Sequence, residues 1–204
     1  MHRGWAIFLL PLLWGYSSVG VLAEELNIDS DSWTSQYDPI FKKYTKRYFG
    51  PFYDWRWFKS QAIAESRLNP NVTSNRGAKG LMQLLPSTFA EIRELNPHFT
   101  EIDTPRWNIA AGIYYDRYLY RKWDVPSEKE RLFYAFASYN AGYSRLLRTI
   151  KRYDLKASSW NAVRKRLPGE TRHYVKTIRE LMNDKRHEKR RLRGISKLLL
   201  SQNS

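Results

Sequence analysis

Glu65 is the residue of this 204-residue chain best placed for acid–base chemistry. It stands late in an apolar stretch where Trp55, Phe58, Ala62 and Glu65 share one face of a predicted helix, with Ile63 beside them. A lone helical glutamate is ordinarily a solvated surface residue, because ionised carboxylates resist burial. Among apolar neighbours the charged form is disfavoured, so the acid can stay protonated near neutral pH and donate to a leaving oxygen. Cleavage of a glycosidic bond calls for such an acid, and normally for a second carboxylate as base or nucleophile. In the loop after Glu65 no further acidic residue occurs before Glu91. That points to a variant in which the substrate supplies the second group, for example the acetamido oxygen of an N-acetylated sugar. His98 and His173 lack partners at metal-ligand spacing, so neither a metal nor another cofactor is expected.

The elements that must position Glu65 read as helices. Tyr37, Phe41, Tyr44 and Tyr48 form a helical stripe that Gly50-Pro51 stops. Asp54 can cap the helix carrying Glu65, and Asn69-Pro70 is expected to end it. The segment holding Gly77 and Gly80 reads as a loop or small hairpin, after which Pro86 suits a helix's first turn, with Phe89 and Ile92 inward. Beyond the break at Asn96-Pro97, a helix is expected from Asn108 to Leu119, with Gly112 permitting close approach of a neighbour. Ser127 and Glu130 form a capping box ahead of an apolar helix through Ala137. Leu146, Leu147 and Ile150 mark a short helix, Trp160 and Val163 another, and a last core helix opens at Glu170. No convincing alternating strand occurs. The expected fold is mainly α: one globular helical domain with a small loop or hairpin lobe beside the Glu65 helix.

Composition narrows the setting. Eight Trp, 14 Tyr and 9 Phe can fill a core or line a carbohydrate groove, and the net charge of +15 argues for an anionic partner or surface. With no cysteine there is no disulfide, thiolate metal site or cysteine nucleophile. A short basic lead, an uncharged run from Ala6 to Leu22 and the ending Val21-Leu22-Ala23 read as an export signal over residues 1–23. An uncleaved membrane anchor is the weaker reading, because Pro11 interrupts a run that is already slightly short. Residues 24–53 then form an aromatic helical extension, 54–182 the main domain and 183–204 a basic tail. From Asn183 to Ser204 seven Lys or Arg stand against two acids, which suits a solvated end or attraction to anionic envelope polymers or a membrane surface. Export would remove the chain from nucleic acid.

Four blocks together resemble the bacterial lytic transglycosylases with an SLT, goose-lysozyme-like catalytic domain. They are Glu65-Ser66-x-x-Asn69-Pro70 with Ser74-x-x-Gly77-Ala78-x-Gly80-Leu81-Met82-Gln83-x-x-Pro86-x-Thr88; Asn108-Ile109-x-x-Gly112; Tyr139-Asn140-Ala141-Gly142; and Glu170-Thr171-x-x-Tyr174-Val175. They occur in the family's order over roughly residues 54–182, and Asp54-Trp55-Arg56 with the aromatic helix before it looks most like the catalytic module of the membrane-bound F type. The resemblance implies a lysozyme-like fold that cuts the β-1,4 bond between N-acetylmuramic acid and N-acetylglucosamine without water, leaving 1,6-anhydro ends. It makes Glu65 first acid and then base. It also implies that Ser74 bonds the sugar near the cleavage site, that Gln83 meets an acetamido group and that Met82 lines the groove. Tyr139 and Asn140 would bind near Glu65, and Tyr174 would approach it from the last helix. Leu85 departs from the methionine many members carry, which alters groove shape alone. The partner implied is a peptidoglycan glycan strand, bound by a monomer in the periplasm or cell envelope. Competing readings are a muramidase that hydrolyses the same bond, a non-catalytic wall-binding scaffold and, on charge alone, a membrane-active cationic protein.

Overall fold

The computed structural model describes residues 28, 33–156 and 159–183. The expected export signal and the basic tail beyond Asn183 lie outside the described residues. Eight helices account for nearly all regular structure among the described residues: α1 (Asp38–Phe49), α2 (Arg56–Ser66), α3 (Pro86–Leu95), α4 (Pro105–Arg121), α5 (Glu128–Ala141), α6 (Tyr143–Arg152), α7 (Trp160–Arg164) and α8 (Gly169–Asn183). The stretch after α2 contributes two isolated antiparallel bridges, Thr73 with Lys79 and Lys79 with Leu84, so the small lobe is a pinched loop and not a hairpin of full strands.

Helix α2 is the axis of the domain. Phe58 through Ile63, with Glu65 and Ser66, are all buried, because α1 and α8 both pack against it. A helix covered on most sides cannot be polar on its far side without partners. Lys59 meets this demand with an ion pair to Asp38 of α1, Nζ to Oδ1 2.7 Å. Trp55, not Asp54, is the residue at the N-cap; Asp54, one position earlier, receives the Arg56 backbone N–H at 3.0 Å and so satisfies one free donor at the helix start.

Helix α2 stops at Ser66, three residues before the proline break expected to end it. Arg67 and Leu68 adopt left-handed backbone at φ 54° and 61°, the Arg67 N–H closes on Ile63 O, and Leu68 is buried. Two consecutive non-glycine residues in that region are strained and persist only where tertiary contacts impose them. Ser66 supplies one such contact, its Oγ meeting Leu81 O at 2.9 Å from the far end of the loop.

Helix α4 lies between α1 and α5 and starts at Pro105, three residues earlier than the apolar spacing suggests. Arg106 Nε donates to Tyr44 Oη at 3.0 Å, joining α4 to α1. Helix α5 begins as its capping residues predict, with Ser127 Oγ accepting the Glu130 N–H, and its Phe133 and Phe136 pack edgewise on Trp57 and Phe58 of α2. None of the helices among the described residues is long and apolar enough to cross a membrane.

Candidate active site

Glu65 is 5 % exposed, on the last full turn of α2 where the loop, α5 and α8 converge. The Tyr174 hydroxyl on α8 donates to its Oε1 at 2.6 Å. Burial raises the Glu65 carboxyl from 4.5 to about 8; the Tyr174 hydrogen bond works against that rise, and the charge of Glu170 adds to it. At neutral pH this carboxyl therefore holds its proton. The Tyr174 and Tyr139 hydroxyls are themselves pushed well above their ordinary range by burial and by neighbouring carboxylates, so both remain donors.

The loop is held against Glu65 by side chains that read as ordinary punctuation in sequence. Asn108, on the first turn of α4, accepts the Met82 N–H at 2.8 Å and donates to Lys79 O and Ile102 O, both at 2.9 Å. Gly80, at φ 74°, leaves no room for a side chain: an added Cβ would stand 2.5 Å from the Asn108 amide. Gly112 does permit close approach, and its neighbour is the loop: an added Cβ would sit 2.8 Å from both Cβ and Cγ of Met82. Tyr139 closes the arrangement from α5, its hydroxyl donating to Met82 O at 2.8 Å.

The sequence-selected residues thus separate into two groups. Tyr174 touches Glu65, and Tyr139 reaches the same loop through Met82. Asn140 accepts the Thr171 hydroxyl at 2.8 Å, tying α5 to α8 beside Tyr174. Ser74, Met82 and Gln83 are engaged within the loop. Ser74 Oγ accepts the Ala78 N–H at 3.0 Å. Met82 is fully buried. Gln83 takes left-handed backbone at φ 45° and is 3 % exposed, its Nε2 donating to Val72 O and Gly80 O at 3.0 and 2.9 Å.

Two further carboxyls stand within electrostatic reach of Glu65. Glu170 is half-buried on the first turn of α8. Asp116 of α4 is wholly buried, Gln61 Nε2 donates to its Oδ1 at 3.2 Å, and burial with the Glu65 charge holds it well above the usual carboxylate range. Sequence reasoning followed the loop after Glu65 and missed Asp116, which lies 51 positions along the chain. The signal was present, since Asp116 shares the apolar stripe of Ile109, Gly112 and Ile113.

The model of the transglycosylase SLT domain matches residues 43–161. The chain belongs to the transglycosylase SLT family. Among curated relatives, membrane-bound lytic murein transglycosylase F of Pectobacterium atrosepticum is 32 % identical over 145 residues, covering 68 % of this chain and 28 % of the relative. The protein of that name from Vibrio cholerae is 30 % identical over 171 residues, covering 73 % and 30 %. This SLT-family chain thus spans less than a third of the length of these relatives. Among solved structures, the 70 kDa soluble lytic transglycosylase Slt70 of Escherichia coli superposes with a TM-score of 0.62 at 26 % identity, over 73 % of this chain and 24 % of its own. A complex of the 70 kDa soluble lytic transglycosylase with bulgecin A gives 0.61 at 25 % identity, over 77 % and 26 %. The mainly helical, lysozyme-like architecture is that of the SLT domain.

Proposed function

We propose that the chain is a lytic transglycosylase of peptidoglycan, cleaving between N-acetylmuramic acid and N-acetylglucosamine. The observation that carries this is Glu65: a buried carboxyl, protonated at neutral pH, held by Tyr174 under the family's loop. Glu65 protonates the glycosidic oxygen, while the substrate's acetamido group relieves the positive charge at the anomeric carbon. The Glu65 carboxylate so formed is stabilised by the Tyr174 hydroxyl. It then removes the proton from the muramic acid's 6-hydroxyl as that oxygen closes the 1,6-anhydro ring, which restores the starting acid. Ser74, Gln83, Tyr139 and Asn140 line the strand's path, Met82 shapes the groove from below, and Tyr174 sets the acid's orientation. The catalytic unit is read as 54–182, with the helix of the 24–53 extension docked on it. Relatives named membrane-bound murein transglycosylases favour action in the cell envelope after export.

The muramidase reading has one observation in its favour, since hydrolysis needs a base for water and Glu170, on the first turn of α8, stands within electrostatic reach of Glu65. Asp116 cannot serve, being sealed from solvent. Digestion of purified peptidoglycan followed by mass measurement of the muropeptides separates the two. Anhydro ends, lighter by one water, support transglycosylation; reducing ends overturn it.

A further inference from the structure

Residues 143–168, between α5 and α8, hold α6 and α7, both of which pack on α5. Their stems are Asn140 at the end of α5 and Thr171 at the start of α8, which the hydrogen bond of 2.8 Å joins beside Tyr174. This lobe carries eight basic residues against one acid, Asp154, a net charge of +7 in 26 residues of a chain whose total is +15. Arg145, Arg148, Lys151 and Arg152 are exposed along α6, and Lys156 follows them. Arg164, Lys165 and Arg166 are exposed at the end of α7. The guanidinium of Arg166 stands 4.7 Å from the Tyr153 ring centroid, so the basic ends of α6 and α7 meet.

The lobe is rigidly seated. Leu146, Val163 and Leu167 are buried, and Trp160 packs its ring on Phe133 and Tyr134 of α5. Crowding so many cations on fixed backbone costs repulsion that an anionic partner would offset. Five of the eight are arginine, whose planar fork suits carboxylates.

We propose that this lobe is a subsite for the carboxylates of the peptide stems borne by the strand whose bond is cut at Glu65. The inference rests on the peptidoglycan reading given above. The lobe's stems are tied together three residues from Tyr174, which touches Glu65, so the pendant carboxylates of a strand bound at Glu65 would come within reach of the basic face. Binding at the lobe raises the local concentration of wall at the site and weakens with salt.

The test is cosedimentation with insoluble sacculi freed of accessory polymers, using Glu65→Gln protein so that nothing is digested. Sacculi are used intact or with their carboxylates converted to amides, and phosphatidylglycerol vesicles form a third arm. Adding Arg145→Glu, Arg148→Glu and Arg152→Glu is expected to weaken binding to intact sacculi about tenfold and to flatten its salt dependence. On amidated sacculi the lobe variant and its parent bind alike. A control reversal on α1, Lys42→Glu, Lys46→Glu and Arg47→Glu, makes the same change in net charge and is expected to bind as the parent does. Unchanged binding by the lobe variant overturns the proposal. So does an equal loss in the α1 control, an equal loss on amidated sacculi, or charge-dependent binding confined to the vesicles. Thermal melts of each variant establish that it is folded. Should Glu65→Gln protein still digest the wall, the catalytic reading fails while the binding comparison, made with non-cleaving conditions in the cold, still stands or falls by itself.

Discussion

Tyr174 and Glu65 are 109 positions apart in the chain and 2.6 Å apart in the fold, with the phenol donating to the carboxyl. The bond stabilises the ionised carboxyl, so it opposes the effect of burial and keeps the acid near neutrality. Removing it in Tyr174→Phe is expected to raise the Glu65 pKa further. The alkaline limb of the kcat/KM profile moves to higher pH, and turnover below that limb falls roughly tenfold or more as the carboxylate loses its donor. A limb that stays in place or moves down contradicts this assignment.

Glu65→Gln is expected to lower muropeptide release by about 10² to 10⁴, the usual worth of a general acid. Its effect on stability has a definite sign. The folded carboxyl binds its proton up to about pH 8, against 4.5 when unfolded. Its contribution is therefore fully present below pH 4.5 and is lost as pH rises through 8. Glu65→Gln protein should match the parent near pH 4 and exceed it above pH 8, by on the order of a few kcal/mol in denaturant melts.

Asp116→Asn tests the second buried carboxyl. Because burial favours the neutral form of Asp116, the isosteric amide should leave the alkaline limb where it is. The variant should also become more stable than the parent at high pH, where a buried Asp must ionise on unfolding. A downward shift of the limb would show that Asp116 carries charge beside Glu65. Asp116→Ala, which strands the Gln61 amide and opens a cavity, should cost about 2–3 kcal/mol at neutral pH.

Gly112→Ala places a methyl 2.8 Å from Met82 Cβ, an atom too near the backbone to move aside. The expected cost is about 1–3 kcal/mol in urea melts. Activity should fall with it, since Met82 O is also the acceptor for Tyr139. A similar methyl at Ala111, a neighbour already bearing one, is no substitute for this test.

Much of this architecture was readable from spacing. Periodic apolar residues located the helices, Ser127 and Glu130 marked the start of α5, and Glu65 stood out as an acid on an apolar face. The end of α2 was not readable. Arg67 and Leu68 adopt left-handed backbone because the loop docks across Ser66, which no local propensity encodes. Gln83 is a substrate contact on the strength of the resemblance alone; that both hydrogens of its amide also bond carbonyls of the loop is something no local spacing encodes. Asp116 escaped notice because proximity was sought along the chain, whereas α4 reaches Glu65 only through packing.

Asn108 has a consequence for the order of assembly. By itself the segment after α2 is held by two isolated bridges, a few turns and the side-chain bonds of Ser74 and Gln83. Its geometry near Glu65 comes from an amide 26 to 29 residues further on. The bonds that fix Met82 and Lys79 therefore need α4 docked, and they belong to the longer-range contacts of the fold. A nascent chain that has released α2 alone carries the acid without the surroundings that hold it, so the site is complete only once most of the domain has been made.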